Sequence, residues 1–406
     1  MRGSCGFCDF TYSKFSIGGN GASPYNNLPI VMFIHRLACG GSSTDSVHAL
    51  LARLYKSRPN AIDNRDMQPI SVSPAYVNAE LQAREHRSNH EFQEAAARAQ
   101  VAAEIARLEG DAGSWWSMTT FQAECLLAAG QFENCADVAS ALVAEPGAMT
   151  PQFQAQVRIL MAKARQGLGL LEQAAEEARA AVVLMKDEAD VEINVKARQA
   201  LIAALADSGK LEDAWTESLV MAEVISGEVD DQLVGKAYWV IGNVAFLCNK
   251  VRDGLYYHEL AAATFSPARN LTVWAKFNKA SAAMRLAADV ADADTMRCIE
   301  RAELATDVIG GSANDYLLLK LNRGHWNYLA GEPAAAIELL EQICADLATP
   351  SPQILGEACL LLGRAHAAVG NRQASREHLL RAAGHFETAG AQQRADQARE
   401  FLAAEK

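Results

Sequence analysis

A short pattern recurs along this chain at a nearly constant spacing. An apolar stretch ends at a glycine, a bulky residue usually follows two positions later, and a small residue comes three positions after that. The turn residue, glycine or in one copy asparagine, falls at positions 130, 169, 209, 249, 331 and 370. The steps between copies are 39, 40, 40, 82 and 39 residues. Because 82 is close to two periods, we expect a concealed copy with its turn near residue 290.

Each copy predicts a pair of antiparallel helices. Glycine and asparagine tolerate the left-handed backbone that ends a helix, and the small residue lets the second helix approach the first. A further glycine comes seven residues before the turn at Gly242, Gly324 and Gly363. A glycine inside a helix costs about 1 kcal/mol relative to alanine, so we expect close helix contacts at these three positions.

The repeats extend beyond the clearest copies. Counting back one period places a turn near Asn89–His90, between helices of about 75–88 and 91–108. Residues 391–404 read as a lone terminal helix with a polar face, the cap that a helical array requires. The sequence therefore predicts an all-α solenoid of about eight antiparallel helix pairs with a period of about 40 and a C-terminal capping helix, spanning residues 73–406.

The individual copies resemble a known family. Tyr238–Gly242 and Cys359–Gly363 resemble the Leu-Gly step of the tetratricopeptide repeat, and Leu211 with Ala214 resembles its second-helix aromatic and alanine positions. The period of about 40 exceeds the usual 34 and resembles the long-repeat variant of bacterial signal-sensing regulators. The resemblance implies a right-handed α-solenoid, over roughly residues 75–406, that binds a peptide or protein on its concave face.

The resemblance also assigns ligand-facing positions to the first helix of each pair. In the concealed copy the register comes from matching Trp274 and Asn278 to Trp239 and Asn243. The resulting candidates are Lys163, Lys196, Lys236, Trp239, Asn243, Phe246, Trp274, Asn278, His325, Tyr328 and Arg364. Asparagine suits the backbone amides of an extended peptide, and lysine and arginine suit a C-terminal carboxylate or acidic side chains. The alternative interpretation places the two tryptophans and the two asparagines in the core.

Charge separates the N-terminal segment from the repeats. The whole chain has a net charge of -12, yet residues 1–72 hold seven basic and four acidic residues. An acidic repeat region lacks the charge that drives non-specific nucleic-acid binding, so we do not expect residues 73–406 to bind nucleic acid directly.

Residues 1–72 are predicted to be poorly ordered, with one convincing helix at Thr44–Lys56. Many long-repeat arrays follow a helix-turn-helix domain, which needs at least two helices. The main hypothesis is a peptide- or protein-binding scaffold. The alternative is a peptide-sensing transcription regulator whose helix-turn-helix domain is degenerate or missing.

Catalytic and cofactor motifs are absent from the sequence. It has no phosphate-binding loop and no nucleophile elbow, so we expect neither an enzyme nor a cofactor. Cys5, Cys8, His35 and Cys39 have the chemistry of a zinc site, but their spacing matches no common zinc finger. No apolar run approaches the ~18 residues of a membrane span. We expect a cytoplasmic protein without a membrane partner, and the sequence leaves homodimer formation open.

Overall fold

A computed structural model describes residues 73–145, 150–186, 190–225, 230–345 and 350–404. Within these ranges the regular secondary structure is helical throughout, as predicted. The helices are α1 Pro74–Ser88, α2 Phe92–Leu108, α3 Ala112–Ala128, α4 Phe132–Ala144, α5 Pro151–Gly167, α6 Leu171–Leu184, α7 Val191–Asp207, α8 Leu211–Val224, α9 Asp231–Leu247, α10 Val251–Thr264, α11 Leu271–Ala287, α12 Ala293–Ile309, α13 Ala313–Leu329, α14 Pro333–Cys344, α15 Pro352–Ala368, α16 Arg372–Thr388 and α17 Gln392–Ala404.

The chain divides into two compact units, with the division between residues 227 and 228. Helices α1–α8 belong to the amino-terminal unit, and α9–α17 belong to the carboxy-terminal unit. In each unit the helices pack as consecutive pairs, each pair consisting of an odd-numbered first helix and an even-numbered second helix. None of the helices in the described ranges is both long enough and apolar enough to span a membrane.

Every first helix ends two residues before a residue with left-handed backbone. These residues are His90, Gly130, Gly169, Gly209, Asn249, Asp289, Gly331 and Gly370. The geometry closes the helix in a regular way: in the second pair, the N–H of Gln131 donates to the carbonyl of Leu126 at 2.9 Å. The eight helix pairs of the described ranges, the early turn at residue 90 and the terminal helix α17 confirm the predicted all-α series of antiparallel helix pairs with a C-terminal helix.

The starts of the first helices are equally regular. Each of the eight is preceded by a short polar residue whose side chain accepts a hydrogen bond from a backbone N–H of the first turn: Ser73, Asp111, Thr150, Asp190, Asp230, Asn270, Ser312 and Ser351. Such a cap contributes about 1 kcal/mol of helix stability. The first helices are therefore defined at both ends by their own sequence.

The concealed copy has its turn at Asp289, whose φ is 55°. This position is 40 residues after Asn249, so the period predicted it well. The match of Trp274 and Asn278 to Trp239 and Asn243 is wrong by five residues. An aspartate stands where the other turns have glycine, asparagine or histidine, and aspartate also tolerates the left-handed region.

The small residues and glycines permit close packing, as predicted. Cys135, Ala174, Ala214, Ala336 and Ser375, at the small-residue position of the second helices, are 0% exposed. A β carbon at Gly324 would lie 2.8 Å from Leu340 Cδ2, and one at Gly363 would lie 2.6 Å from Leu379 Cγ. Each of these glycines therefore lets the second helix of its own pair rest against the first.

Candidate functional site

Two of the predicted ligand-facing lysines lie in the amino-terminal unit. Lys163 on α5 is half-buried. Lys196 on α7 is exposed and forms an ion pair with Glu192 at 2.6 Å, one helical turn away. A solvated pair of this kind contributes little to stability, so the charge of Lys196 is accessible but already compensated.

The aromatic residues predicted on α9 lie in the core of the carboxy-terminal unit. Trp239 is 3% exposed, and its ring meets those of Phe265 and Phe277 edge-on at 6.4 Å and 5.7 Å. Phe246 is buried with its ring 5.1 Å from that of His258. The structure supports the core interpretation for Trp239, places Phe246 in the core as well, and corrects the expectation that they line a ligand groove.

The predicted asparagines are also buried. The side-chain oxygen of Asn243 accepts from His258 Nε2 at 3.1 Å, and the other ring nitrogen of His258 lies 2.9 Å from the hydroxyl of Ser281. Asn278 is 0% exposed, and its amide donates to the carbonyl of Trp274 at 2.9 Å. The expectation that Asn243 and Asn278 face a peptide is wrong, because their side chains are enclosed by the helices around them.

Lys236 and Trp274 are half-buried. The ring of Trp274 lies 5.5 Å from the guanidinium carbon of Arg301 on the second helix of its pair. This contact occupies one side of the ring within the repeat, so Trp274 has the role of a packing residue in the structure.

The corrected register places two lysines of α11 at ligand-facing positions. Lys276 and Lys279 stand where Lys236 and Trp239 stand on α9, and both line a cavity of about 230 Å³ between α11 and the α12–α13 turn. Lys279 is buried and forms an ion pair with Asp315 at the start of α13. The charge of Lys279 in the cavity lining is therefore compensated by Asp315.

The remaining predicted residues meet on α13 and α15. The guanidinium carbon of Arg364 lies 4.8 Å from the centroid of the Tyr328 ring and 5.0 Å from that of Phe401 on α17. His325 is on α13, one turn before Tyr328. We call these four residues, His325, Tyr328, Arg364 and Phe401, the Arg364 site.

The charge of Arg364 is not neutralised within the described ranges. Its nearest acidic neighbour along α15, Glu357, is held by Arg394 of α17 through both carboxylate oxygens, with Arg394 Nε at 2.9 Å from Oε1. Arg364 itself forms no ion pair with a described residue, and its Nε is buried without a hydrogen-bond partner there. Arg364, Arg394 and Glu357 together therefore carry a net positive charge.

His325 adds a neutral polar group to this site. Burial, together with the charges of Arg364 and Arg394, lowers the pKa of His325 to about 3. Its Nε2 is buried and has no hydrogen-bond partner among the described residues. The imidazole is therefore uncharged at neutral pH and retains an unused hydrogen-bonding atom.

Helix α17 contributes two residues near Arg364 that were not predicted from the sequence. Arg394 and Phe401 are seven residues apart and so lie on one face of that helix. This spacing is visible in the sequence, but we interpreted the segment only as a cap. The pattern of Cys5, Cys8, His35 and Cys39 lies outside the described residues, and within the described ranges no group of three metal-ligating side chains converges.

Among the comparisons with known proteins, only the comparison with solved structures finds similar proteins. No protein-family model and no curated protein matches the chain. Aspartyl phosphate phosphatase F from Bacillus subtilis is similar, with a TM-score of 0.51, 14% identity, and coverage of 93% of this chain and 98% of that one. The apo form of the quorum sensor NprR from B. thuringiensis gives a TM-score of 0.52 at 10% identity, covering 93% and 97%.

A tetratricopeptide repeat protein from Parabacteroides merdae also matches, with a TM-score of 0.47 and 11% identity, over 72% of this chain and 99% of that one. At 14% and 10% identity, the two matches with TM-scores above 0.5 show a shared fold and no more. With its eight described helix pairs, its left-handed turns about 40 residues apart and its terminal helix, the chain has the tetratricopeptide-like helical-repeat fold in its long-repeat form.

Proposed function

We propose that this chain is a non-enzymatic protein that binds a peptide or a segment of another protein, and that Arg364 holds a carboxylate of that ligand. The observation that carries the proposal is the arginine that lies against two aromatic rings without an acidic partner among the described residues.

An arginine in this setting is prepared for a planar anion. Contact with Tyr328 and Phe401 limits the rotamers of the side chain, so less conformational entropy is lost when a ligand binds. The guanidinium group presents paired N–H donors that match the two oxygens of a carboxylate, a geometry that lysine does not offer. A C-terminal carboxylate or an aspartate or glutamate side chain supplies the complementary group.

The serine–histidine contact in the core does not support catalysis. Ser281 and His258 are hydrogen-bonded as a nucleophile and its base would be, but each is 1% exposed. Burial and the charge of Arg285 lower the pKa of His258 to about 3, which makes it a poor base at neutral pH. A substrate has no access to this pair, so we assign it to the packing of α9, α10 and α11.

The regulator hypothesis assigns the same binding role to the repeats and takes its DNA contacts from residues 1–72 or from a partner protein. Residues 1–72 lie outside the described ranges, so this alternative stays a prediction. If residues 1–72 supply the contacts, the full chain binds duplex DNA with an affinity that falls steeply with salt, which a mobility-shift titration at two salt concentrations measures.

Selection from a random peptide library with free C-termini tests the proposal. The full chain serves as bait, beside the variants Arg364→Gln and Arg376→Gln. Arg376 is an exposed arginine on α16 and provides a matched loss of charge. We expect the wild-type chain and Arg376→Gln to enrich the same carboxylate-containing peptides and Arg364→Gln to lose them. Equal enrichment by all three chains, or none by the wild-type chain, contradicts the proposal.

A further inference from the structure

Two cysteines in the carboxy-terminal unit are in direct contact. Cys344 is the last residue of α14, Cys359 lies in the middle of α15, and their sulfur atoms are 3.8 Å apart. Cys359 is fully buried and Cys344 is half-buried. Cys344 is therefore the residue of the pair that lies nearer to solvent.

The pair is also chemically asymmetric. The hydrogen bond between the two thiols lowers the pKa of Cys344, against the opposing effect of burial, and the charge of Arg381 lowers it further. The same hydrogen bond and burial raise the pKa of Cys359. By contrast, burial raises the pKa of both Cys125 and Cys135 in the amino-terminal unit to about 12. Cys344 is the less buried residue of the contacting pair, and because the thiolate is the reactive form we take Cys344 as the nucleophile.

We propose that Cys344 and Cys359 are a redox modification site that forms a reversible intramolecular disulfide when the chain meets a hydroperoxide. The Cys344 thiolate attacks the terminal peroxide oxygen, the O–O bond breaks, and protonation of the departing oxygen gives water from hydrogen peroxide and leaves a sulfenic acid. The Cys359 sulfur then attacks the Cys344 sulfur, the S–O bond breaks, and a second water leaves with the Cys359 proton. Two thiols lose two electrons and two protons, and one peroxide becomes two waters.

The local structure permits the closure that this reaction needs. The sulfur atoms must move from 3.8 Å to a bond length of about 2.05 Å. Cys344 ends its helix, so its backbone is held by fewer helical hydrogen bonds than that of Cys359. The bridge would join α14 to α15 across a 15-residue separation and restrict the unfolded chain, which raises the thermal midpoint of the oxidised form.

Peptide mapping of the full wild-type chain tests the inference. The chain is treated with hydrogen peroxide, alkylated, and digested with trypsin and a glutamate-specific protease, which cut after Glu341, Glu357 and Arg364. We expect peptides 342–357 and 358–364 to be recovered joined, two hydrogens lighter than their sum, and to separate on reduction. Recovery of both as alkylated thiols, or of Cys344 joined to another cysteine, overturns the inference.

Two single variants test the assigned order. In Cys359→Ser the sulfenic acid on Cys344 has no thiol to resolve it, so a diketone probe should label Cys344 far more strongly than in the wild-type chain. In Cys344→Ser we expect Cys359 to stay unlabelled and unoxidised, as Cys125 and Cys135 do. Oxidation of Cys359 at the wild-type rate in Cys344→Ser overturns the assignment of Cys344 as the nucleophile.

Discussion

The guanidinium carbon of Arg364 lies 4.8 Å from the centroid of the Tyr328 ring, so two neighbouring first helices of the array, α13 and α15, meet through a charged and an aromatic side chain. Arginine–aromatic contacts are worth about 0.5–2 kcal/mol, depending on how far water is excluded. The contact holds the cation in place without neutralising it. This is the arrangement that a site for an acidic ligand requires.

Replacing the ring of Tyr328 should weaken ligand binding without abolishing it. We expect Tyr328→Ala to lower the affinity for peptides selected by the wild-type chain by about 2- to 30-fold, since the cation–aromatic contact that orients Arg364 is lost. Tyr328→Phe keeps the ring and should bind within a factor of about two of the wild-type chain. Calorimetric titration measures both, and an equal loss in the two variants would instead assign the effect to the hydroxyl group.

Close packing at Gly242 predicts a strong effect of one methyl group. A β carbon there would lie 2.9 Å from His258 Nε2 and 3.2 Å from the carbonyl oxygen of Gly254. We expect Gly242→Ala to lower the free energy of unfolding by about 1–3 kcal/mol. Urea denaturation measures the change.

Gly384, inside α16, is the matched control because a β carbon there meets nothing within 4 Å. Gly384→Ala should raise the free energy of unfolding by about 0.5–1 kcal/mol, as expected for glycine replaced inside a helix. If Gly242→Ala were as stable as Gly384→Ala, the close approach of α9 and α10 would be refuted.

Removing the amide of Asn243 should destabilise the core. In Asn243→Ala the ring nitrogen of His258 loses the partner that lies 3.1 Å away, and a buried polar atom without a partner costs about 1–3 kcal/mol. The exposed Asn134 is the control, and Asn134→Ala should change the free energy of unfolding by less than about 0.5 kcal/mol. A stable Asn243→Ala chain that loses only ligand binding would restore the ligand-facing interpretation.

Two histidines with lowered pKa values predict a loss of stability at acidic pH. The pKa values of His258 and His325 are lowered to about 3 in the folded chain, mainly by burial, whereas an unfolded histidine titrates near its usual pKa of 6.5. Between these values the unfolded state binds more protons. The stabilisation that comes from keeping these two histidines neutral is therefore complete above about pH 6.5. As the pH falls below that value, the free energy of unfolding decreases by up to about 1.4 kcal/mol per pH unit for each histidine.

The variant His325→Gln removes the contribution of one of these two histidines to the pH dependence of stability. The free energy of unfolding of the wild-type chain and the variant is measured by denaturant titration between pH 7 and pH 4. We expect the free energy of unfolding of the variant to decrease less steeply as the pH falls. The difference in slope should be at most that of one proton, about 1.4 kcal/mol per pH unit. Parallel declines in the two chains would mean that the pKa of His325 is the same in the folded and unfolded states.

The repeat could be predicted from the sequence because each turn depends on local chemistry. A left-handed residue at the end of a helix is almost a single-residue property, and the period follows from counting such residues. The concealed turn shows the limit of this reasoning. The repeat period predicts a turn near residue 290, and the structure has it at Asp289. Matching Trp274 and Asn278 by residue type instead shifts the repeat register by five residues.

The site could be predicted only in part, because the face of a helix that a side chain occupies depends on its neighbours. Tyr328 and Arg364 were identified by their repeat positions, and they meet in the structure. Asn243 has the equivalent position to Arg364 on α9, yet it is covered by His258 of α10 and by α11. Phe401 was missed because its contact with Arg364 spans 37 positions and follows no repeat.

The most direct test of the central claim is a four-way affinity measurement. A peptide selected by the wild-type chain is made in its carboxylate form and with that carboxylate converted to an amide, and each is titrated against the wild-type chain and Arg364→Gln. We predict that removing the carboxylate costs the wild-type chain about 10- to 150-fold in affinity, equivalent to about 1.5–3 kcal/mol, and costs Arg364→Gln almost nothing. An equal loss in both chains would show that Arg364 does not hold the carboxylate and would contradict the account.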